Sequence, residues 1–208
     1  MKNETLNPIK ISISGEERFD FIQNLITNDL NKIDKTLYSY LLTPQGKILY
    51  EVQIQKLNES YDILCTNDQL NLFEYLDKYS KLSEISLKKL SIDSMSFGKN
   101  YLLNLFKDGK IDSNFLKHSN YLPSEINDEY VDYKKGCYVG QEVVSRIKHR
   151  QLKKKNIRVF EKISQDINPL PTDFQLLMEL DKYKVLRLSI DTNYEAIQNN
   201  FGIKLINL

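Results

Sequence analysis

The sequence has no tryptophan, two cysteines and two histidines in 208 residues, and neither sign of charge dominates: 29 Lys+Arg stand against 28 Asp+Glu, a formal net charge of +1 at pH 7. That balance excludes a globally basic nucleic-acid binder and an acidic disordered tail protein. The cysteines, Cys65 and Cys137, lie far apart in different contexts and suggest no disulfide framework. His149 has no second histidine nearby and His118 falls in an irregular stretch, so a zinc site of the paired-ligand type is not expected. Internal repeats and low-complexity tracts are missing. Every apolar run is broken by Lys, Asn or Asp well short of the roughly 18 residues that cross a bilayer. Met1 to Lys10 carries neither an apolar signal core nor the Arg-rich, acid-poor character of an organelle presequence, so a cytoplasmic protein without membrane contact is expected.

What is there is an ordinary globular composition, 41% hydrophobic and 27% charged, on a chain long enough for one large domain or two modest ones. Ser14-Gly15-Glu16-Glu17 reads as a capping box, followed by Phe19, Ile22, Leu25 and Ile26 on one helical stripe that ends at Thr27-Asn28-Asp29. From Thr36 the period changes to two: Tyr38, Tyr40 and Leu42, then the turn formers Pro44-Gln45-Gly46, then Ile48, Tyr50, Val52 and Ile54, a hairpin. Tyr61 to Cys65 reads as the next strand, with Cys65 a buried thiol, and Thr66 with Gln69 as the cap of a helix carrying Leu70, Phe73 and Leu76. Ile85 to Ile92 reads as a strand, Asn100 to Lys107 as a helix leaving through Asp108-Gly109, and Ile111 to Tyr133 as loop. Beyond Asn156, the runs Ile157 to Phe160, Phe174 to Leu180, Val185 to Ile190 and Gly202 to Leu208 suggest a small β unit. The spacing places a boundary near Lys153 to Asn156, with an α+β region over 1–152 and a β domain over 153–208.

The chemistry concentrates in Lys134-Lys135-Gly136-Cys137-Tyr138-Val139-Gly140-Gln141-Glu142-Val143-Val144-Ser145-Arg146. Two glycines bracket a cysteine and a tyrosine just before a helix that starts near Gln141. A thiol at that place meets the positive end of a helix dipole, and Lys134, Lys135 and Arg146 add positive charge, all of which favour thiolate. Two readings stay open: a reactive Cys137, or a cysteine that simply fits between glycines. Glu142 and Arg146, four residues apart, share a helix face and also fit a surface ion pair. From Lys134 to Arg158 nine basic residues face one acid, a local charge of +8 before His149 is considered, so the chain is electrically polarised. Such a stretch holds a polyanion or is a solvated face; for RNA the shortage of aromatics within it leaves phosphate contact alone.

The segment Lys135 to Glu142, continuing to Arg146, Lys148, His149 and Arg150, resembles the signature of the YgfZ-type folate-binding proteins, relatives of the glycine-cleavage T-protein that act in iron–sulfur protein maturation. Gln23-Asn24-Leu25-Ile26-Thr27-Asn28-Asp29, Leu42-Thr43-Pro44-Gln45-Gly46-Lys47-Ile48-Leu49 and Leu122-Pro123-Ser124-Glu125 resemble the same family in the expected order. The resemblance implies an α+β fold of sheet-and-helix portions with a small C-terminal β-barrel, arranged around a tetrahydrofolate cavity, and iron–sulfur client or scaffold proteins as partners. The family's essential cysteine maps onto Cys137. Its motif neighbours, the implied cofactor-binding set, map onto Lys135, Gly136, Tyr138, Gly140, Gln141, Glu142 and Arg146. On this reading Glu142 supplies an acceptor for the pterin edge, Tyr138 a wall for the ring, and the basic run a partner for the glutamate tail. The hairpin position of the T-protein's catalytic acid is occupied by Tyr50, a poor substitute for an ionised carboxylate. That disfavours aminomethyl transfer, although Glu51 or Glu142 remains available as a replacement. The stretch from Lys78 to Leu122 is shorter than the family's middle region.

Overall fold

The computed structural model describes residues 7–92, 97–116, 120–164 and 168–206. The first sheet is built from β1 (Ile9–Ser14), β2 (Thr36–Leu42), β3 (Ile48–Lys56), β4 (Ser60–Cys65) and β5 (Ser86–Leu90) in the order β2-β3-β4-β1-β5, every pair antiparallel. Its strands alternate because their sequences do. Ile11, Ile13, Val52, Ile54, Ile63 and Cys65 face α1 (Arg18–Leu25) and α2 (Leu72–Ser80) and pack against Phe21, Ile22, Leu25, Leu72 and Leu76. Burying each such aliphatic side chain contributes roughly 1.5–3 kcal/mol relative to exposing it. The opposite face, set by the pairings Tyr40 with Glu51, Tyr38 with Gln53 and Gln53 with Leu64, is more polar and forms one wall of a cleft.

One irregularity sets the end of the hairpin. Leu41 pairs with Tyr50 but Leu42 pairs with Ile48, so Leu49 is bulged out of the ladder and Ile48 joins Tyr40, Leu42 and Tyr138 rather than the Val52 side. Tyr50 alternates regularly with Val52 and Ile54 into the apolar core, its ring 5.6 Å from that of Tyr75, and Glu51 is the hairpin acid on the cleft side.

Both expected caps differ in detail. Ser14 ends β1, and α1 begins after Glu17 with no side-chain cap, because the Glu17 carboxylate accepts from Glu84 N at 2.8 Å instead. At α2 the cap is Asn71 in a left-handed conformation, with Asp68 accepting from Leu72 N. Thr66 and Gln69 are drawn into tertiary contacts, to Asp112 at 2.5 Å and to the Asn114 carbonyl at 2.7 Å.

The expected loop from Ile111 to Tyr133 contains short turns of helix, at Ser113–Phe115, at α4 (Pro123–Ile126) and at Asp128–Tyr130, while α3 (Lys99–Lys107) and α5 (Gln141–His149) fall where the sequence places them. The second sheet, β6 (Lys155–Lys162), β7 (Gln175–Leu180), β8 (Tyr183–Ser189) and β9 (Ile203–Leu205), runs in the order β7-β8-β6-β9. The barrel expected at the C-terminus is not formed by the described strands: the sheet is open, with β7 and β9 at its two edges. Both of its faces are covered. Ile157, Val159 and Val185 pack on Leu102 and Phe106 of α3, and Phe160, Leu186 and Leu188 pack on Ile197 of α6 (Tyr194–Phe201), a helix absent from the sequence reading. Arg187 of β8 makes a bidentate bridge to Glu125 of α4, at 2.8 and 3.0 Å, so the Pro-containing stretch ties the cleft to the second sheet.

Candidate functional site

Three of the sequence stretches singled out above meet at one place. Gly140 caps α5 with φ +83°, and a Cβ there would lie 2.5 Å from the Thr43 carbonyl oxygen and 3.1 Å from the Gly46 Cα. Gly46, with φ +74°, takes the hairpin turn and faces Val143 and Val144. Backbone thus packs on backbone where the hairpin meets α5, and only glycine permits it. From the other side, the Lys135 ammonium is 8% exposed and donates to the carbonyls of Gln23 at 2.5 Å, Ile26 at 2.7 Å and Asn28 at 3.1 Å. It closes the C-terminal end of α1 from more than a hundred residues away, and all three of its hydrogens are taken. Burial pushes its pKa down to about 8, with Asp29 and Asp132 opposing the shift.

The motif alternates between anchors and exposed groups. Tyr138 is buried among Tyr40, Leu42, Ile48, Val131 and Val144, 5.1 Å from the Lys135 ammonium, and its hydroxyl has no partner among the described residues. The Gln141 amide returns to the Lys135 carbonyl at 3.2 Å. Gly136 and Cys137, in contrast, are exposed. Gly136 has an ordinary φ and nothing within 4 Å of an added Cβ, so the fold does not require glycine there. Both thiols are free, Cys65 sealed in the core with burial holding its pKa well above the usual range, Cys137 open to solvent. Glu142 and Arg146 form the exposed i,i+4 ion pair at 2.6 Å.

The basic run is more engaged than its sequence suggests. Lys135 is buried, Arg146 pairs with Glu142, Lys148 pairs with Asp128 at 2.5 Å, and Lys153 is partly buried, its pKa lowered by desolvation and by the nearby Arg158 and Lys148. His118 lies outside the described residues. Among the described residues no group of three His, Cys, Asp or Glu is placed to hold a metal ion, and no helix is long and apolar enough to cross a membrane.

A cleft lies on the polar face of the first sheet and holds residues that the sequence reading passed over. A cavity of about 90 Å³ is lined by Tyr38, Phe97 and Tyr101 and by Glu51, Asp112 and Asn114. Asp112 accepts from Thr66 and Tyr101 hydroxyls at 2.5 and 2.9 Å and from Asn114 N at 3.0 Å. Glu51 accepts from Ser113 N at 2.9 Å, and the Asn114 side chain pairs with both main-chain groups of Glu51. A second, water-sized cavity of about 20 Å³ adjoins Asn114 and is lined by Tyr50, Gln69 and Tyr121 among others. None of the motif residues from Lys135 to Arg146 lines either cavity. The only sequence signal for this cluster is Asp112-Ser113-Asn114, a turn former whose side chains cap their own backbone.

No family model matches the chain. It is 27% identical over 190 residues to the mitochondrial iron–sulfur cluster assembly factor IBA57 homolog of Candida glabrata, covering 88% of this chain and 36% of that protein. It is 23% identical over 215 residues to the IBA57 homolog of Mycosarcoma maydis, covering 71% of this chain and 53% of that one. The chain is thus similar over most of its length to proteins named as iron–sulfur cluster assembly factors. Its fold matches the glycine cleavage system aminomethyltransferase T of Bartonella henselae with a TM-score of 0.64 at 10% identity, over 88% of this chain and 76% of that one. The chain spans between about a third and about half the length of these curated relatives. Both fungal proteins are named mitochondrial, a compartment different from the cytoplasm expected for this chain.

Proposed function

We propose that the chain is a YgfZ-like accessory factor in the assembly or repair of iron–sulfur proteins, that Cys137 is its working group, and that it acts on client or scaffold proteins with a folate-class ligand in the cleft. The observation that carries this reading is the placement of the thiol: exposed on a loop whose neighbours Lys135, Tyr138 and Gly140 are held from below. Cluster iron takes cysteine sulfur as a ligand, and an exposed cysteine on a fixed loop either ligates iron in passing or attacks a disulfide of the client, the outgoing sulfur leaving as thiolate. The similarity to IBA57 homologues supports the assembly role, and the aminomethyltransferase-like fold supports the folate.

Folate fits the cleft in part. The enclosed space of about 90 Å³ is smaller than a typical small-molecule site, so the cleft takes the edge of a ring rather than a whole bicyclic head, with Tyr38, Phe97 and Tyr101 as walls and Glu51, Asp112 and Asn114 as polar contacts. The bound ligand would supply a one-carbon carrier or a packed core for the cleft; the chain's own residues orient it and keep water from its ring. Of the motif residues first expected to bind it, Lys135 and Tyr138 serve the reading as supports of the loop, and Glu142 and Arg146 as a surface pair beside the thiol. RNA is not part of this proposal, because several of the bases that would meet phosphate are already engaged within the chain.

The test is cluster-enzyme activity in cells lacking the endogenous factor. Wild-type chain is expected to restore it and Cys137→Ser to fail at equal abundance; full restoration by Cys137→Ser removes the thiol from the mechanism.

A further inference from the structure

The cleft brings two carboxyl groups together without a base. Glu51 is 9% exposed and Asp112 4%, and both sit on the turn Asp112-Ser113-Asn114, one accepting from Ser113 N and the other from Asn114 N. No Lys, Arg or His lines the cavity. The groups facing Glu51 are Tyr40 directly across the ladder, Tyr38 beside it, Thr66 at the end of β4, Tyr101 of α3, Tyr130 of the 128–130 turn and Asp112 itself. Two cations share the sheet face, Lys10, engaged with Asp62 at 2.9 Å, and Lys88 on the edge strand β5, and neither lines the cavity. Two anions in a dry site cannot both stay ionised without a counter-charge, so the pair retains a proton.

The hydrogen bonds decide where that proton sits. Asp112 receives three donors, from Thr66, Tyr101 and Asn114, which stabilise it as an anion. Glu51 receives only Ser113, whose N–H reaches Oε2 at 2.9 Å and whose hydroxyl also favours the anion, and its side chain lines the cavity. The fully buried Tyr40 hydroxyl, which feels the Glu51 charge, is without a partner among the described residues. Burial raises the pKa of both acids, and the Asp112 charge raises that of Glu51 further.

We propose that Glu51 works as a neutral carboxylic acid that donates a hydrogen bond from Oε1 into the cavity. The cleft then takes a flat heterocycle that offers an acceptor, a ring nitrogen or carbonyl oxygen, between the aromatic walls of Tyr38 and Tyr101. This rests on the cleft being the ligand site proposed above, and it departs from the expectation that an acid at the hairpin must be ionised. Asp112 is the positioning residue that keeps Glu51 protonated.

Two measurements test it. Carbon-13 chemical shifts of the side-chain carboxyls, titrated from pH 4 to 8 in the ligand-free chain and assigned with Glu51→Gln, are expected to show Glu51 still protonated at pH 6. In Asp112→Asn, Glu51 is expected to titrate at lower pH than in wild type. Titration of Glu51 at or below the ordinary glutamate range in the wild type overturns the inference, whatever binds. Calorimetry with tetrahydrofolate is expected to show affinity falling tenfold per pH unit once pH exceeds the Glu51 pKa, and a flat profile for Glu51→Gln. Heat of binding with no such pH dependence contradicts the donor role. Failure of tetrahydrofolate to bind at pH 6 or 8 defeats the folate reading alone, and the carboxyl shifts still decide the proton.

Discussion

The cysteine motif divides into two sets of residues that differ in what the fold asks of them. Lys135, Tyr138 and Gly140 are buried or wedged, joined to the end of α1, to the Tyr40 cluster and to the hairpin turn. Gly136, Cys137 and Glu142 are exposed, and Gly136 meets nothing that would exclude a side chain. A run of consecutive residues that reads as one signature is thus a scaffold and a presented group in alternation. The scaffold explains its residue types by packing; the presented thiol has no packing reason to be cysteine.

That division is open to attack by substitution. Gly140→Ala is expected to do the most damage: a left-handed backbone costs a non-glycine residue about 1–2 kcal/mol, and overlap with the Thr43 carbonyl brings the loss to about 3 kcal/mol or more, read by denaturant unfolding. Lys135→Met comes next. It strands three carbonyls at the end of α1, and a loss of about 2–3 kcal/mol is expected in the same measurement, with faster amide exchange at Ile26 to Asn28 and across the 134–140 loop. The exposed set sits at the other end of the scale. Glu142→Ala is expected to cost about 0.3–0.5 kcal/mol, as an exposed i,i+4 pair does, and to less effect still in high salt. Gly136→Ala is expected to stay within about 0.5 kcal/mol of wild type. A large loss at Gly136, or none at Gly140, erases the distinction.

Much of the scaffold was legible. The hairpin announces itself by a period of two on either side of Pro44-Gln45-Gly46, and the strands of the second sheet by short apolar runs between turn formers. The signals for α6 were present but overlooked: Asn193 caps it through Glu195 N and Ala196 N, Ile197 faces the core, and Gly202 closes it at φ +62°. The barrel expectation came from resemblance rather than from residues, and the open order β7-β8-β6-β9 corrects it. The cleft was hidden for a physical reason. Glu51, Thr66, Tyr101 and Asp112 come from four separate parts of the chain, brought together only by the tertiary fold. Periodicity alone assigns Tyr50 and Glu51 to opposite faces without saying which face carries the chemistry. Lys135 was hidden in the same way, since its partners at Gln23, Ile26 and Asn28 lie at the other end of the chain.

The most direct test puts stability and activity side by side on Cys137→Ser. Because the thiol is exposed and unpaired, the melting temperature of the variant is predicted to equal that of wild type while its support of a cluster-containing enzyme is lost. Retained support at unchanged stability, or loss of stability in step with activity, would contradict the claim that this thiol is presented for work rather than packed for the fold.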